Sequence, residues 1–267
     1  MSASTSDRTK GTRGCGRAFE RGKAFIPFVT CGDPDMETTE RLVRAMIDAG
    51  ADLVELGIPF SDPTAEGPTI MEADVRALAS GTTTDDVFAL VERLRRDYDT
   101  PLVFMTYANV IFSRGIEAFA ARAGEVGVDG IILPDVPFEE REEFAVPFAA
   151  HGVELVSMIA PTSEDRIRMI AAQAKGFIYC VSSLGVTGVR SAITTDIGGM
   201  VELVRSVTDV PVAVGFGIST PEQAAHMAAL SDGAIVGSAI VRMVDAGGDD
   251  MVGRVADYVR QMKAAVG

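Results

Sequence analysis

Three carboxylates crowd into residues 55–68, ELGIPFSDPTAEGP: Glu55 ends an apolar run, and Asp62 and Glu66 follow on a segment stiffened by Pro59, Pro63 and Pro68. Apolar neighbours desolvate a carboxyl group and raise its pKa, which suits a group that must give and take a proton near neutral pH. That is one chemistry open to Glu55, and an ion pair with Arg or Lys at a strand end is the other. Proline fixes φ, so the loop can aim Asp62 or Glu66, although both also read as solvated surface acids. The chain has two histidines, His151 before a strand run and His226 inside a helical pattern. Proton transfer is therefore left to carboxylates or tyrosines.

Three glycine turns suggest a second kind of site. They are GVTG at 185–188, GFGIST at 215–220 and the pair Gly237 and Ser238, which opens the helical pattern SAIVRMV. Free backbone N–H groups at a helix N-terminus favour an anion. Any one of these glycines reads equally as a turn residue, but together they point to a phosphorylated substrate. Tyr107 and Tyr179 end strand runs and serve either as hydrogen-bonding groups or as buried structural tyrosines. Phe28, Ile132, Phe216 and Ile235 line an apolar slot or simply pack a core. No His, Cys, Asp or Glu grouping has metal-ligand spacing, and GFG does not continue as a dinucleotide fingerprint.

Positioning these residues falls to eight short apolar runs: AFIPFVT (24–30), DLVELG (52–57), PLVFMTY (101–107), GIILPD (130–135), ELVSMIA (154–160), FIYCVS (177–182), VPVAVGFG (210–217) and GAIVGS (233–238). Near-continuous apolarity is the pattern of parallel strands covered on both faces. Amphipathic segments lie between them. METTERLVRAMIDAG places Leu42, Val43, Met46 and Ile47 on one helical face, and STPEQAAHMAAL reads as a helix with Thr220 as N-cap, Pro221 first and Gln223 completing a capping box. Eight β/α units without a composition break predict an α/β fold, a (β/α)8 TIM barrel with extra helices forming a single domain over residues 18–267, rather than a doubly wound sheet. Residues 1–17 lack the apolar core of a signal peptide and read as a flexible tail.

A net charge of −14 over 267 residues argues against nucleic acid. No apolar run approaches the roughly 20 residues needed to cross a bilayer. The three cysteines, Cys15, Cys31 and Cys180, have no CxxC spacing, and their odd number fits a reducing cytoplasm.

FIPFVTCGDPD, LVELGIPFSDPTAEGPTI, VFMTYANVIF, ILPDVPFEE, YCVSSLGVTGVR, VGFGISTPEQ and GAIVGSAIV occur in the order found in tryptophan synthase alpha subunits, and the chain from residue 19 onward resembles that family. The resemblance implies a lyase that cleaves indole-3-glycerol phosphate to indole and glyceraldehyde 3-phosphate by a retro-aldol reaction. It gives Glu55 the proton at indole C3 and Glu66 the indole N–H. The family pattern there is ADGP, whereas this chain reads AEGP, one methylene longer. Tyr179 is implied near the reacting substrate, with Tyr107 kept beside it as a substrate-binding candidate from its strand-end position, Thr187 on the sixth loop, Gly188, Gly217, Gly237 and Ser238 around the phosphate, and Phe28, Ile132, Phe216 and Ile235 around the indole. No cofactor is implied in this chain. Pyridoxal phosphate belongs to a beta subunit, the implied partner in an alpha2-beta2 heterotetramer, which would meet the second and sixth loops and the segment around Asn109. Two other functions fit the same residues: a free-standing lyase without an obligatory partner, and a non-catalytic phosphate-ligand-binding regulatory subunit.

Overall fold

The computed structural model describes residues 13–181, 196–215 and 217–267. Nine parallel strand segments form a nearly closed barrel: β1 (Ala24–Thr30), β2 (Val54–Gly57), β3 (Leu102–Met105), β4 (Gly130–Ile132), β5 (Glu154–Leu155), β6 (Ser157–Ile159), β7 (Ile178–Val181), β8 (Val212–Gly215) and β9 (Gly233–Val236). Their order is β5-β4-β3-β2-β1-β9-β8-β7-β6. The eight apolar runs are all present. The fifth is split at Val156, because its first half pairs with β4 and its second half with β7. On the mouth side of that break Leu133 and Pro134 face Ser157, Met158 and Ala160 across a cleft.

Most strands are shorter than the apolar runs that predict them. Residues such as Tyr107, Pro134 and Gly217 lie beyond the last paired residue and belong to the barrel mouth, which stays apolar after the hydrogen-bond ladder has ended.

Eleven helices are described: α1 (Met36–Asp48), α2 (Pro68–Ala79), α3 (Thr84–Leu94), α4 (Ala108–Phe112), α5 (Ile116–Val126), α6 (Glu142–Ala150), α7 (Glu164–Ala171), α8 (Ile197–Arg205), α9 (Pro221–Leu230), α10 (Ser238–Asp245) and α11 (Met251–Val266). Their starts follow local rules. Asp35 caps α1 by accepting from Thr38 N–H at 2.7 Å, and Thr220 and Gln223 form the expected capping box of α9, with Pro221 at its first position.

Alternation along the strands separates two cores. Ile26, Phe28, Leu53, Val103, Met105, Ile132, Phe177 and Ile235 fill the barrel interior. Phe25, Val29, Leu56, Phe104 and Val214 point outward into a layer completed by Leu42, Met46, Phe88 and Phe119 of the helices. Both faces of the sheet are therefore apolar, which is why its strands do not alternate in sequence.

The barrel floor is closed by a 3₁₀ turn, Cys15–Phe19, whose Cys15 and Ala18 are buried in the interior core. The first three residues of this turn fall within the stretch expected to be tail. Asp129, 1% exposed, holds the turn by accepting from the N–H groups of Gly14 and Leu102 while pairing with Arg95. Removing one partner of a buried ion pair leaves an uncompensated charge. Asp129→Ala is expected to lower the unfolding free energy by about 3–5 kcal/mol in urea denaturation.

Candidate active site

Strand register places Glu55 in the barrel interior, between Phe28 of β1 and Val103 of β3. It is 1% exposed, and its Oε2 has no hydrogen-bond partner among the described residues. Among the described residues no cation compensates it. Burial, with a smaller contribution from the charge of Glu66, raises its pKa to about 8. Of the two sequence readings, the rim ion pair is therefore absent among the described residues, and the desolvated carboxyl is present.

Glu66 sits just before Gly67, the N-cap of α2, and Pro68 is the first residue of that helix. It is buried, unlike Asp62, which stays on the surface and takes the Ser61 hydroxyl. The proline-braced loop thus turns one acid inward and leaves the other in water. Tyr107 fixes the inward one. Its ring stacks on Phe60 with centroids 5.2 Å apart, its hydroxyl accepts from Ala65 N–H at 3.2 Å, and the same hydroxyl donates to the Glu66 carboxyl. Burial raises the Glu66 pKa, opposed by hydrogen bonds from Asp74 and Tyr107. Its Oε2 remains buried without a partner among the described residues.

Asp74 is the acid that sequence reasoning passed over. It shares the buried face of α2 with Ile70, Ala73 and Ala77. A carboxylate within an apolar helical stripe was the available signal.

Two close approaches shape the slot above Glu55. A Cβ on Gly57 would lie 2.6 Å from Phe28 Cζ, and one on Gly215 would lie 2.6 Å from the Tyr179 hydroxyl oxygen. The absence of side chains at the ends of β2 and β8 lets these rings lie across the strands. Tyr179 is 5% exposed, and burial followed by the Glu55 charge raises its pKa. Ile132 and Ile235 are buried in the same interior core. Gly217 adopts a left-handed φ of 80°. Gly237 is the N-cap of α10, where a Cβ would lie 3.3 Å from Phe28 Cδ1, and Ser238 is the first residue of that helix. The N-terminus of α10 therefore opens beside the aromatic slot. Thr187, Gly188 and Phe216 lie outside the described residues.

Among the described residues no group of His, Cys, Asp and Glu could hold a metal ion. What converges is a pair of carboxyl groups in different surroundings, one enclosed by apolar side chains and one held by the Tyr107 hydroxyl, an arrangement that sets their proton affinities apart. A helix N-terminus suited to an anion lies across an apolar slot from them.

The family model for the tryptophan synthase alpha chain matches residues 17–267. A tryptophan synthase alpha chain from Lactiplantibacillus plantarum is 49% identical over 249 residues, covering 93% of this chain and 94% of its own length. One from Alkaliphilus metalliredigens is 46% identical over 242 residues, covering 90% and 91%. Among solved structures, Mycobacterium tuberculosis tryptophan synthase superposes with a TM-score of 0.87 at 31% identity, covering 96% of this chain and 99% of that one. The alpha subunit from Legionella pneumophila superposes with a TM-score of 0.86 at 35% identity, again covering 96% and 99%.

Burial of Glu55 carries a stability signature. A carboxyl whose pKa rises from 4.5 to about 8 on folding contributes fully below the lower value and loses that contribution as pH climbs through the higher one. Glu55→Gln cannot ionise. Its melting temperature relative to the parent is expected to rise between pH 5 and pH 8 and then level off, and a difference independent of pH would show that Glu55 is not held neutral. Gly215→Ala is expected to displace the Tyr179 ring, at about 1–3 kcal/mol of stability measured by denaturation.

Proposed function

The chain belongs to the tryptophan synthase alpha chain family, lyases that cleave indole-3-glycerol phosphate, and on that premise we propose that Glu55 and Glu66 divide the work of the cleavage between them. Glu55, neutral below about pH 8, protonates C3 of the indole ring. Positive charge then develops at the ring nitrogen, whose N–H is met by the Glu66 carboxylate. The hydroxyl on the side-chain carbon attached to the ring next loses its proton to the Glu55 carboxylate. Its oxygen closes to the aldehyde of glyceraldehyde 3-phosphate, and the electrons of the broken carbon–carbon bond return to the ring as indole. Glu55 ends protonated, so the cycle balances without an external acid or base.

The single observation that supports this division is the buried pair itself, in which the charge of Glu66 helps to keep Glu55 protonated. The partnerless Oε2 of Glu66 is also an acceptor still lacking a donor, as the anchor for a ring N–H requires. Phe28, Ile132, Phe216 and Ile235 would hold the indole, and Tyr107 and Tyr179 would position the reacting groups. Gly188, Gly217, Gly237 and Ser238 would bind the phosphate, with Thr187 closing over it. Water excluded by closure strengthens each electrostatic contact.

The reading extends to a beta subunit that takes up the indole and carries the pyridoxal phosphate, in an alpha2-beta2 assembly in the cytoplasm. Asn109 is exposed on α4, and Phe112 of the same helix, whose ring packs against Phe144, is half-exposed, so that α4 presents both a polar and an apolar group to a partner. Nothing among the described helices is long and apolar enough to cross a membrane.

Glu55→Gln is expected to cut indole release by about 10²–10⁴-fold, the usual contribution of a general acid–base, with unchanged circular dichroism. Glu66→Ala should be similarly impaired and Glu66→Asp should retain activity. Normal turnover by Glu66→Ala would reduce that residue to ordinary charge. Adding a beta subunit should raise turnover of indole-3-glycerol phosphate, and an unaltered rate would favour a free-standing lyase.

A further inference from the structure

Asp74 is buried in the site, yet the reaction as derived does not use it. The residue is 4% exposed and stands on the interior face of α2, where its carboxyl meets that of Glu66. Two carboxylates in hydrogen-bonding contact have four acceptor oxygens and no donor, so their contact requires a proton on one of them. In a dry site the pair holds that proton tightly, because two like charges at contact repel and each alone is poorly solvated.

The surrounding groups decide which acid carries it. Glu66 receives the Tyr107 hydroxyl from the end of β3 and lies at the N-terminus of α2, where the helix dipole favours negative charge. Asp74 has neither aid. It lies in the middle of the same helix, facing Glu66 and the Asp33 carboxylate from the loop after β1, with the buried Cys31 thiol nearby. Glu55 is close enough to Glu66 to feel its charge. The only cation facing this cluster among the described residues is Arg76. Its Nε and Nη2 are committed to the two oxygens of Asp33, each at 2.8 Å, and its Nη1 to Asp245 of α10 at 3.0 Å. Among the described residues no positive charge is left to neutralise Asp74.

We propose that Asp74 is a positioning residue: as a neutral acid it donates its proton in a hydrogen bond to the Glu66 carboxylate, holding that group in place for the ring N–H and fixing the charge of the pair at minus one. The assignment rests on the reading of Glu66 as the partner of the indole nitrogen. A single shared proton keeps Glu66 anionic without a second charge beside it. It also makes the acidity of Glu66 a property of the pair.

The test compares the full chain and its Asp74→Asn, Asp74→Ala and Glu66→Ala variants on indole-3-glycerol phosphate, with and without a beta subunit, from about pH 5.5 to about pH 10 so as to span both titrations. Asparagine keeps a donor but cannot ionise, and alanine removes the donor. Asp74→Ala is expected to lower kcat at least about tenfold while KM changes by less than about threefold, since the phosphate contacts are untouched. Asp74→Asn should recover most of that loss. At alkaline pH the parent should lose activity with a limiting slope of two protons, one from Glu55 and one from the pair, and Asp74→Asn with a slope of one. Infrared spectroscopy at pH 7 should show a protonated-carboxyl band that weakens in Asp74→Asn, a readout independent of turnover and available even if Asp74→Ala fails to fold. An unchanged alkaline slope and an unchanged infrared band in Asp74→Asn would overturn the proposal. If Glu66→Ala turns over normally, it is the underlying reading of Glu66 that fails. If Glu66→Ala is inactive while both Asp74 variants match the parent, only the role given to Asp74 is lost.

Discussion

An acid enclosed by hydrocarbon keeps its proton, and the geometry of this barrel depends on that constraint at Glu55. Phe28 of β1, Leu53 just before β2, Val103 of β3 and Tyr179 of β7 belong to the same interior core, and none carries a charge to offset ionisation. A packed barrel interior usually excludes acids altogether. Here the acid sits on β2 two residues before Gly57, the last paired residue on the mouth side. Stability is surrendered to place it there: two buried carboxyl oxygens, one on Glu55 and one on Glu66, have no partner among the described residues. Unsatisfied groups of this kind belong to surfaces that are completed only when something binds.

The scaffold answers that cost with redundancy on the opposite side. Asp129, Arg95 and the 3₁₀ turn at Cys15–Phe19 close the floor with hydrogen bonds that leave the Asp129 carboxyl fully engaged. Floor and mouth therefore treat buried carboxylates in opposite ways. Asp129 is satisfied by two backbone N–H groups and a guanidinium and serves structure. Glu55 is left unsatisfied and serves chemistry. The same residue class in the same barrel acquires its role from what surrounds it.

Much of this was legible in the sequence because the relevant signals are local. Continuous apolar runs disclosed the parallel strands, and Thr220, Pro221 and Gln223 marked the start of α9 through chemistry contained in four residues. Glu55 was legible as an acid at the end of an apolar run. The split of the fifth strand was not, since Val156 differs in no local property from its neighbours, and the break arises from a change of pairing partner across the barrel. The contrast between Asp62 and Glu66 was equally hidden. Both follow prolines on one loop, and the contacts that single out the inward-turning acid come from elsewhere: the hydroxyl of Tyr107, about forty residues away in sequence, and the buried carboxyl of Asp74. Asp74 was overlooked because polar residues on helices default to solvent, and its burial is set by the packing of α2 against β1 and α10.

The break at Val156 leaves the mouth with a wall of unequal stiffness. Around most of the rim, neighbouring strands are tied by backbone hydrogen bonds whose spacing no side chain can alter. Between Pro134 and Met158 that tie is missing, and the gap is spanned by side chains alone. In this sector the breadth of the slot is a matter of residue volume. A larger or smaller side chain at Leu133 or Met158 can retune it without disturbing the strand that carries Glu55, which stands on the other side of β3.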